Sequence, residues 1–368
     1  MNLETTIFLV FSLPTALLYL CRKEYVMANL NLLNTFDSIY ISSMLPEELS
    51  FTSDYTVVTV DLYIGQGTEK FFTADYYTYN GVATFKDMRS IVETLMIERN
   101  LNVVTMRMVY SDELTLKFMD GIKVVFGSYK YAGGSYAFLD DNFLTTRKSA
   151  MVPRSGKLIL NYYALANNSY TNSANVFFSR SAVSEEIREC YLSLPWRPST
   201  EGTRQWIVSY DNFKTLVEQE TGFSGLVIHS IQLQLGNRLF QVYFCEEEPT
   251  EQFTFRNGYN VKEIAYFYAK QTIKTKIEKN EAMCGKTGQF YDVTATLKRE
   301  VETAPMLKEE ALWLNQFFTS HLVTKKVAND EEAEVLISDI TSEVSDSNKD
   351  LTKLKFSWRY ADGEEREE

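Results

Sequence analysis

Histidine and cysteine are the residue types that most often carry nucleophilic or metal chemistry, and this chain has few of them. It contains two histidines and four cysteines in 368 residues. A Ser-His-Asp or Cys-His site would therefore have to use His229 or His321. No two cysteines form a Cys-X-X-Cys pair, so the spacing does not favour structural zinc and predicts four reduced or buried thiols. The cysteines are Cys21, Cys190, Cys245 and Cys284.

Both histidines have a structural interpretation that we prefer. His229 has the same parity as Ile231 and Leu233 in an alternating segment, which predicts a hydrogen-bonded histidine on the apolar face of a strand. His321 closes a predicted helix, where a cation or a bond to a carbonyl suits the helix dipole. Carboxylate pairs for glycoside hydrolysis are recognised by their separation in space, and the sequence selects no two of the 49 acidic residues. We predict that the protein is not an enzyme, with no catalytic residue and no cofactor-binding residue.

Two segments are rich in oxygen ligands, as calcium loops are. Asp346–Asp350 places such side chains at alternate positions, but Leu351 stands where the loop needs Gly and Ser357 where it needs Glu. A polar hairpin turn is the better interpretation, and Asp140–Asn142 is equally unspecific. Gly65–Gly67 follows a strand but lacks the third glycine and the helix start of a phosphate loop, so it also predicts a hairpin turn. We predict no metal ligands and no cofactor.

The formal net charge of −12 argues against binding of nucleic acid over the whole surface, because such binding depends on neutralising phosphates. A local exception is the basic cluster Lys270, Lys274, Lys276 and Lys279, which follows the aromatic residues Tyr266–Tyr268. Basic and aromatic side chains together can bind single strands by charge and stacking. A solvated strand or loop face is the preferred interpretation, so we expect no nucleic-acid partner. The density of Tyr and Phe also suits a protein–protein contact or stacking on sugars.

Alternation of apolar and polar residues with a period of two dominates the chain and predicts strands with one buried face. It is clearest at residues 58–64, 231–235 and 354–360. Gly236-Asn237 separates two such runs and predicts a tight hairpin turn, because both residues tolerate positive φ.

Helices are predicted to be few and short. Apolar residues at offsets of three and four predict helices over 86–99 and 307–321, and a weaker pattern predicts one over 211–221. The fold class expected from these patterns is mainly β with minor α+β character. The architecture is then two or three β-sandwich-like domains with a few short flanking helices.

The same patterns suggest a division of the chain into successive units. Tyr131–Ser135 and the polar stretch Asn167–Ala174 are predicted to be loop-like. The predicted units are an apolar N-terminal segment at 1–30, a β domain with one helix at 31–128, a second β domain at 129–258, a C-terminal β domain with one helix at 259–361, and an acidic tail at 362–368.

The N-terminal segment contains an apolar run of about 14 residues at 7–20, which is short for a membrane-spanning helix. The residues before it carry no basic side chain, unlike those of a secretory signal. One interpretation is that translation starts at Met27; a signal or a membrane anchor is the alternative. We expect no membrane partner unless residues 7–20 are a real anchor.

Three stretches of the C-terminal third carry a resemblance. They are Phe253–Asn260 (FTFRNGYN), Glu302–Leu314 with its Lys-Glu-Glu-Ala-Leu-Trp-Leu segment, and Leu336–Tyr360 ending in Leu-Lys-Phe-Ser-Trp-Arg-Tyr. Together they resemble large β-rich proteins encoded by phages and prophages of gut Bacteroidales. The first unit, with strands followed by a helix at Lys86–Arg89, is broadly similar too. The resemblance implies a product encoded near virion or tail genes. Its motifs are those of strands and a helix, so no catalytic residue is carried over.

The leading functional hypothesis is therefore a non-enzymatic structural protein, a phage or prophage virion component of the tail or baseplate type. Its partners would be other copies of itself and other particle proteins, it would be a homo-oligomer, and its location would be the virion. The alternative is an exported adhesin or carbohydrate-binding protein at the cell surface or secreted. A third possibility is a hydrolase that uses carboxylates.

Overall fold

A computed structural model of the chain describes residues 29–65, 69–128, 130–165, 171–181, 186–194, 200–284, 287–327, 331–342 and 351–364. Over these ranges the protein is mainly β, with several sheets and four short α-helices, which confirms the predicted fold class. The predictions for residues 7–20, Met27 and Asp346–Asp350 lie outside the described residues.

The first unit is a β-sandwich with a helix on its flank. A three-stranded sheet of order β1-β3-β6 and a five-stranded sheet of order β2-β8-β7-β4-β5 contribute to one hydrophobic core. Phe51 and Phe85 come from the smaller sheet, Val60 from the larger one, and Val92 from the helix. The elements are β1 (Asn31–Leu32), β2 (Ile39–Ile41), β3 (Glu48–Thr52), β4 (Val57–Ile64), β5 (Glu69–Tyr77), β6 (Val82–Lys86), α1 (Met88–Glu98), β7 (Val103–Ser111) and β8 (Leu116–Val125).

The second unit pairs a five-stranded sheet of order β12-β11-β14-β15-β9 with the two-stranded sheet β10-β13 and a helix. Apolar residues of both sheets form its core, and Phe213 and Val217 of the helix complete it. The predicted turn at Gly236-Asn237 is confirmed, since Leu235 pairs with Arg238. The elements are α2 (Gly134–Asp141), β9 (Ser149–Pro153), β10 (Lys157–Ala164), β11 (Asn172–Ser179), β12 (Arg188–Leu194), β13 (Gly202–Ser209), α3 (Tyr210–Thr221), β14 (Val227–Leu235) and β15 (Arg238–Cys245).

The third unit is one seven-stranded sheet of order β17-β16-β21-β22-β24-β19-β18, together with the two-stranded sheet β20-β23 and a helix. The ring centroids of Phe253 and Trp358 lie 5.5 Å apart, although three inter-strand steps separate their strands. Such steps are about 4.8 Å each in a flat sheet, so this sheet curls around its core. The elements are β16 (Glu251–Arg256), β17 (Lys262–Phe267), β18 (Ala269–Cys284), β19 (Thr287–Thr303), β20 (Met306–Leu307), α4 (Lys308–Phe318), β21 (Val323–Lys326), β22 (Glu332–Ser342), β23 (Leu351–Thr352) and β24 (Leu354–Tyr360).

The structure corrects some of the local predictions. The Tyr131–Ser135 segment is not loop throughout, because α2 begins at Gly134 and buries Phe138 and Leu139. Asp140 and Asp141, considered as calcium ligands, are the last residues of that helix. The boundary predicted at residue 258 falls between β16 and β17, which pair with each other in the third unit's sheet.

A junction of buried residues lies between the three units. The ring of Tyr259 stacks on Phe138 at 5.7 Å, and both belong to a cluster that also contains residues of the first two units. The Asn260 side chain donates a 2.8 Å hydrogen bond to the Leu101 carbonyl of the first unit. Asn257 donates to the Leu144 carbonyl of the second unit at 2.8 Å. The Arg-Asn-Gly-Tyr-Asn segment of the third unit thus contacts both other units.

Candidate interaction site

The two histidines lie in different units: His229 is in β14 of the second unit, and His321 follows α4 in the third. His229 is half-buried rather than in the core, because β14 has a register irregularity at this point: Ser230 and Ile228 pair with Phe177 and Phe178, and His229 is passed over. Its Nε2 lies 3.0 Å from the Oγ of Ser179. The predicted core position is therefore wrong, since the irregularity resets the alternation.

His321 was predicted to close a helix. It lies exposed beyond the end of α4, which ends at Phe318. The predicted helical role of His321 is therefore wrong. Near the end of α4, the inward-facing residue is Phe317, which is fully buried.

Two of the cysteines, Cys190 and Cys245, are free thiols. Burial raises the pKa of the Cys190 thiol, which makes it a poor nucleophile near neutral pH. The Sγ of Cys245 lies 2.8 Å from the Tyr268 hydroxyl, and the pKa of Tyr268 is raised by burial and by this contact. Cys190 packs within the core of the second unit.

No group of three or more His, Cys, Asp or Glu side chains in the described part of the chain is arranged to hold a metal ion. No helix within that part is both long and apolar enough to cross a membrane. Of the predicted turn at Gly65–Gly67, only Gly65 lies within the described residues. It has a φ of 66°, and the preceding Ile64 pairs with Glu69.

The feature that stands out is a long hairpin formed by β18 and β19, which we call the arm and define as residues 272–284 and 287–298. The two strands pair with each other from Ala269–Thr303 to Cys284–Thr287. β19 pairs with its other neighbour, β24, only over Arg299–Glu302. At about 3.3 Å per residue, the ribbon extends about 40 Å beyond that contact.

One face of the arm is polar and carries most of the basic cluster. Lys274 pairs with Glu300 at 2.7 Å, and Lys276 pairs with Glu278 at 2.6 Å. The ammonium of Lys276 holds the pKa of the Glu278 carboxyl below its ordinary value. Lys270, Lys274 and Lys276 of the basic cluster therefore lie on a solvated strand face, where two of them have acidic partners.

The opposite face of the arm is apolar and exposed. Ile273 pairs across the ribbon with Arg299, and Ile277 pairs with Ala295. Nearer the tip, Lys279 lies over the ring of Phe290, with its Nζ 5.2 Å from the centroid. The side chains of this face are more than half exposed at five large apolar positions: Ile273 (58%), Ile277 (57%), Met283 (68%), Phe290 (59%) and Val293 (56%).

This apolar face continues the core face of the third unit's sheet. Val301, on the same face of β19, is 2% exposed and belongs to the core, and Arg299 is 6% exposed. From Arg299 toward the tip of the arm, the large apolar side chains of the same face are exposed to solvent. A two-stranded ribbon with an exposed apolar face is by itself only marginally stable in water. No other described residue of the chain covers this face.

The two edges of the seven-stranded sheet differ in accessibility. At one edge, the Lys262 carbonyl of β17 accepts a 2.8 Å hydrogen bond from the Asn161 side chain in β10, so the second unit covers that edge. β18 forms the other edge, and within the described residues no further strand pairs with it. The lysines along β18 discourage indiscriminate strand addition there.

A shallow polar cavity of about 340 Å³ lies at the base of the arm, lined by charged residues of β18, β19, β22 and β24. Several of its charges are paired: Lys355 lies 3.1 Å from Glu302 and lowers the pKa of that carboxyl, and Asp339 is contacted by Lys298.

Sequence analysis singled out the lysines of the arm but missed its apolar face. The signal was present at Ile273 and Ile277 and again at Val293 and Leu297, where apolar residues recur at even intervals within polar strands. Alternation predicts a buried face, whereas the arm leaves that face exposed. In comparisons with known proteins, neither a protein-family model nor a curated protein matches this chain.

Proposed function

We propose that this protein is a non-enzymatic structural component of a phage or prophage virion, of the tail or baseplate type, that assembles with other copies of itself through the arm. The observation that carries the proposal is the exposed apolar face of a ribbon that has no covering layer within the described chain. Each large apolar side chain buried there contributes about 1.5–3 kcal/mol in the assembled state.

The charge distribution favours a second copy as the partner of the arm. Residues 269–303 contain seven Lys or Arg and five Asp or Glu, whereas the whole chain contains 37 and 49. The ribbon is thus slightly basic, and the rest of the chain is strongly acidic. Opposite charge accelerates encounter and favours the correct orientation, so the acidic body of a neighbouring copy suits the arm. An arm of one copy on the body of the next is a head-to-tail contact, which forms rings or filaments.

The test is the native mass of the purified full chain, measured by light scattering at several concentrations. We expect an oligomer that dissociates on dilution. Ile277→Ser/Val293→Ser removes apolar surface from the arm and should shift the dissociation to at least about tenfold higher concentration, because each lost contact of about 1.4 kcal/mol is worth a factor of ten.

The matched control is Lys276→Ser/Glu278→Ser, which changes neighbouring positions on the polar face and leaves the net charge unchanged. Its exposed ion pair is worth little, so the oligomer should persist. A monomer at every concentration, or equal masses for the two double variants, would contradict assembly through the arm. Circular dichroism of each variant checks that the body remains folded.

A further inference from the structure

The outer face of the second unit's five-stranded sheet carries few charged side chains. The inner face of this sheet lies on the core, with residues such as Val176, Leu233 and Val242. On the outer face, the strand register aligns side chains in rows that run across the sheet. Two adjacent rows are Tyr191–Asn175–Gln232–Gln241–Ser149 and Glu189–Phe177–Ser230–Tyr243–Met151.

These two rows carry one charged side chain, Glu189, in a chain of which 23% is charged. Protein surfaces ordinarily carry charges of both signs at about a quarter to a third of their positions. The rows hold aromatic, amide and hydroxyl groups instead. Tyr191 is 64% exposed, and Tyr243 is 49% exposed. We name these two rows the platform.

Three amide side chains lie side by side in the middle of the platform, on three neighbouring strands. Asn175 and Gln241 are half-buried and Gln232 is exposed. None of the three makes a side-chain hydrogen bond to another described residue, so their donors and acceptors face outward. With strands about 4.8 Å apart, the row of amides spans about 10 Å, which is longer than a single sugar ring.

We propose that the platform binds a neutral oligosaccharide or polysaccharide, laid across the strands. Each amide offers both a donor and an acceptor, and a sugar hydroxyl needs both. The exposed tyrosine rings offer apolar faces with a polar tip, which suit stacking on the C–H face of a sugar ring. The carboxylate of Glu189 and the net charge of −12 disfavour an acidic glycan.

A sugar fits this surface better than a protein partner does. The centre of a protein interface is usually apolar, and burying three amides there without partners would cost about 1–3 kcal/mol for each unsatisfied group. A ligand dense in hydroxyl groups supplies partners for all three amides. The platform is a separate surface from the arm, so glycan binding does not depend on self-assembly.

The test is affinity electrophoresis of the full chain in native gels that contain a neutral polysaccharide, with amylose, laminarin, mannan and galactomannan as probes and polygalacturonate as the acidic comparison. We expect at least one neutral polysaccharide to retard the protein. Tyr191→Ala/Tyr243→Ala should raise the dissociation constant for the polysaccharide at least about tenfold, because two stacking faces are lost. Gln232→Ala/Gln241→Ala tests the amides separately, which covers the case in which the tyrosine variant does not fold.

The matched control is Tyr77→Ala/Tyr79→Ala, two tyrosines of the first unit that are each 81% exposed. This control should bind as the unmodified protein does. Retardation by none of the neutral polysaccharides, retardation by polygalacturonate alone, or unchanged binding in both platform variants would overturn the proposal. A platform variant that lowers the native mass without affecting retardation would identify a protein interface and would overturn it as well.

Discussion

At the scale of single residues, burial and one hydrogen bond control the protonation of Tyr163. Its side chain is 1% exposed, and its hydroxyl donates a 3.0 Å hydrogen bond to Glu201, which also accepts from Lys123 of the first unit. Burial, followed by the charge of Glu201, raises the pKa of Tyr163 well above its ordinary value. Tyr163 therefore keeps its proton in the folded protein at a pH where the unfolded chain releases it.

The sign of the resulting pH dependence follows from proton counts. Above about pH 10, an unfolded tyrosine loses its proton while folded Tyr163 retains it, so the unfolded state gains stability as the pH rises. We expect the free energy of unfolding to fall between about pH 10 and 11, with Tyr163 contributing a slope of about 1.4 kcal/mol per pH unit. Tyr163→Phe should remove that slope and cost about 1 kcal/mol at neutral pH for the lost hydrogen bond.

Urea unfolding at several pH values from neutral to alkaline measures both effects. Tyr77→Phe is the control, because that side chain is 81% exposed and should leave the pH dependence as it is. An unchanged slope in Tyr163→Phe would show that Tyr163 ionises equally well in the folded protein.

The burial of Glu251 could not be predicted from the sequence, because it depends on a partner in another strand. Glu251 is 2% exposed, and it accepts hydrogen bonds from Lys325 and Gln271, both at 2.5 Å. Its strand pattern predicts inward-facing Phe253 and Phe255, and the parity of Glu251 puts it on that same face. A carboxylate at an inward-facing position is buried at low cost only if a basic side chain pairs with it, and here that side chain comes from a strand far away in sequence. Alternation within one strand does not reveal Lys325.

At the scale of elements, the positions of strands and helices were largely predictable from the sequence. The tertiary contacts that bury their apolar faces were not. The helices predicted over 86–99, 211–221 and 307–321 correspond to Met88–Glu98, Tyr210–Thr221 and Lys308–Phe318. Helix α2 escaped prediction because Gly133 and Gly134 suggest a turn, while its burial depends on contacts with distant strands. The arm shows a second limit of prediction from sequence, which concerns what buries an apolar face. Its alternation predicts an apolar face, but a sequence pattern does not say whether a core or a neighbouring subunit buries it.

The arm should be dispensable for folding of the body. Replacing Thr275–Leu297 with Asn-Gly leaves Lys274 paired with Lys298 across a tight turn and keeps Gln271, whose side chain bonds Glu251. Because most of the removed side chains are exposed, we expect the free energy of unfolding to change by no more than about 0.5 kcal/mol. Urea unfolding at a concentration where the unmodified protein is monomeric measures this.

The interpretation of the arm depends on the result of this deletion. A loss of several kcal/mol would mean that the ribbon supports the body, and the uncovered face would then have an internal role. Unchanged stability together with a lower native mass would assign the ribbon to assembly alone.

At the scale of the whole molecule, the segment Asn257–Val261 determines how the three units are joined. Asn257 is 5% exposed and Asn260 is fully buried, and their side chains reach carbonyls of the second and the first unit, respectively. Asn260 also has a φ of 53°, a conformation that Asn tolerates better than most residues. These residues belong to the Phe253–Asn260 stretch noted from sequence. Its place at a junction could not be predicted, because its contacts with the other two units are distant in sequence.

We expect Asn260→Ala to uncouple the first unit from the rest. The substitution leaves the Leu101 carbonyl without its 2.8 Å donor and places alanine at positive φ, at a combined cost of about 2–4 kcal/mol. Asn260→Gly removes the same hydrogen bond without the backbone strain, so it should cost about 1–2 kcal/mol less. Asn280→Ala, which loses an exposed hydrogen bond on the arm, is the control.

The distribution of tryptophan makes this uncoupling measurable. The four tryptophans are Trp196, Trp206, Trp313 and Trp358, so none lies in the first unit. Tryptophan fluorescence therefore reports on the second and third units, whereas far-ultraviolet circular dichroism reports on all three. If the junction couples the units, the two urea transitions coincide in the unmodified protein and separate in Asn260→Ala, with the circular dichroism transition beginning at lower urea. Coincident transitions in the variant would show that Asn260 stabilises the protein without coupling its units, and cohesion would then rest on the apolar contacts around Tyr259 and Phe138.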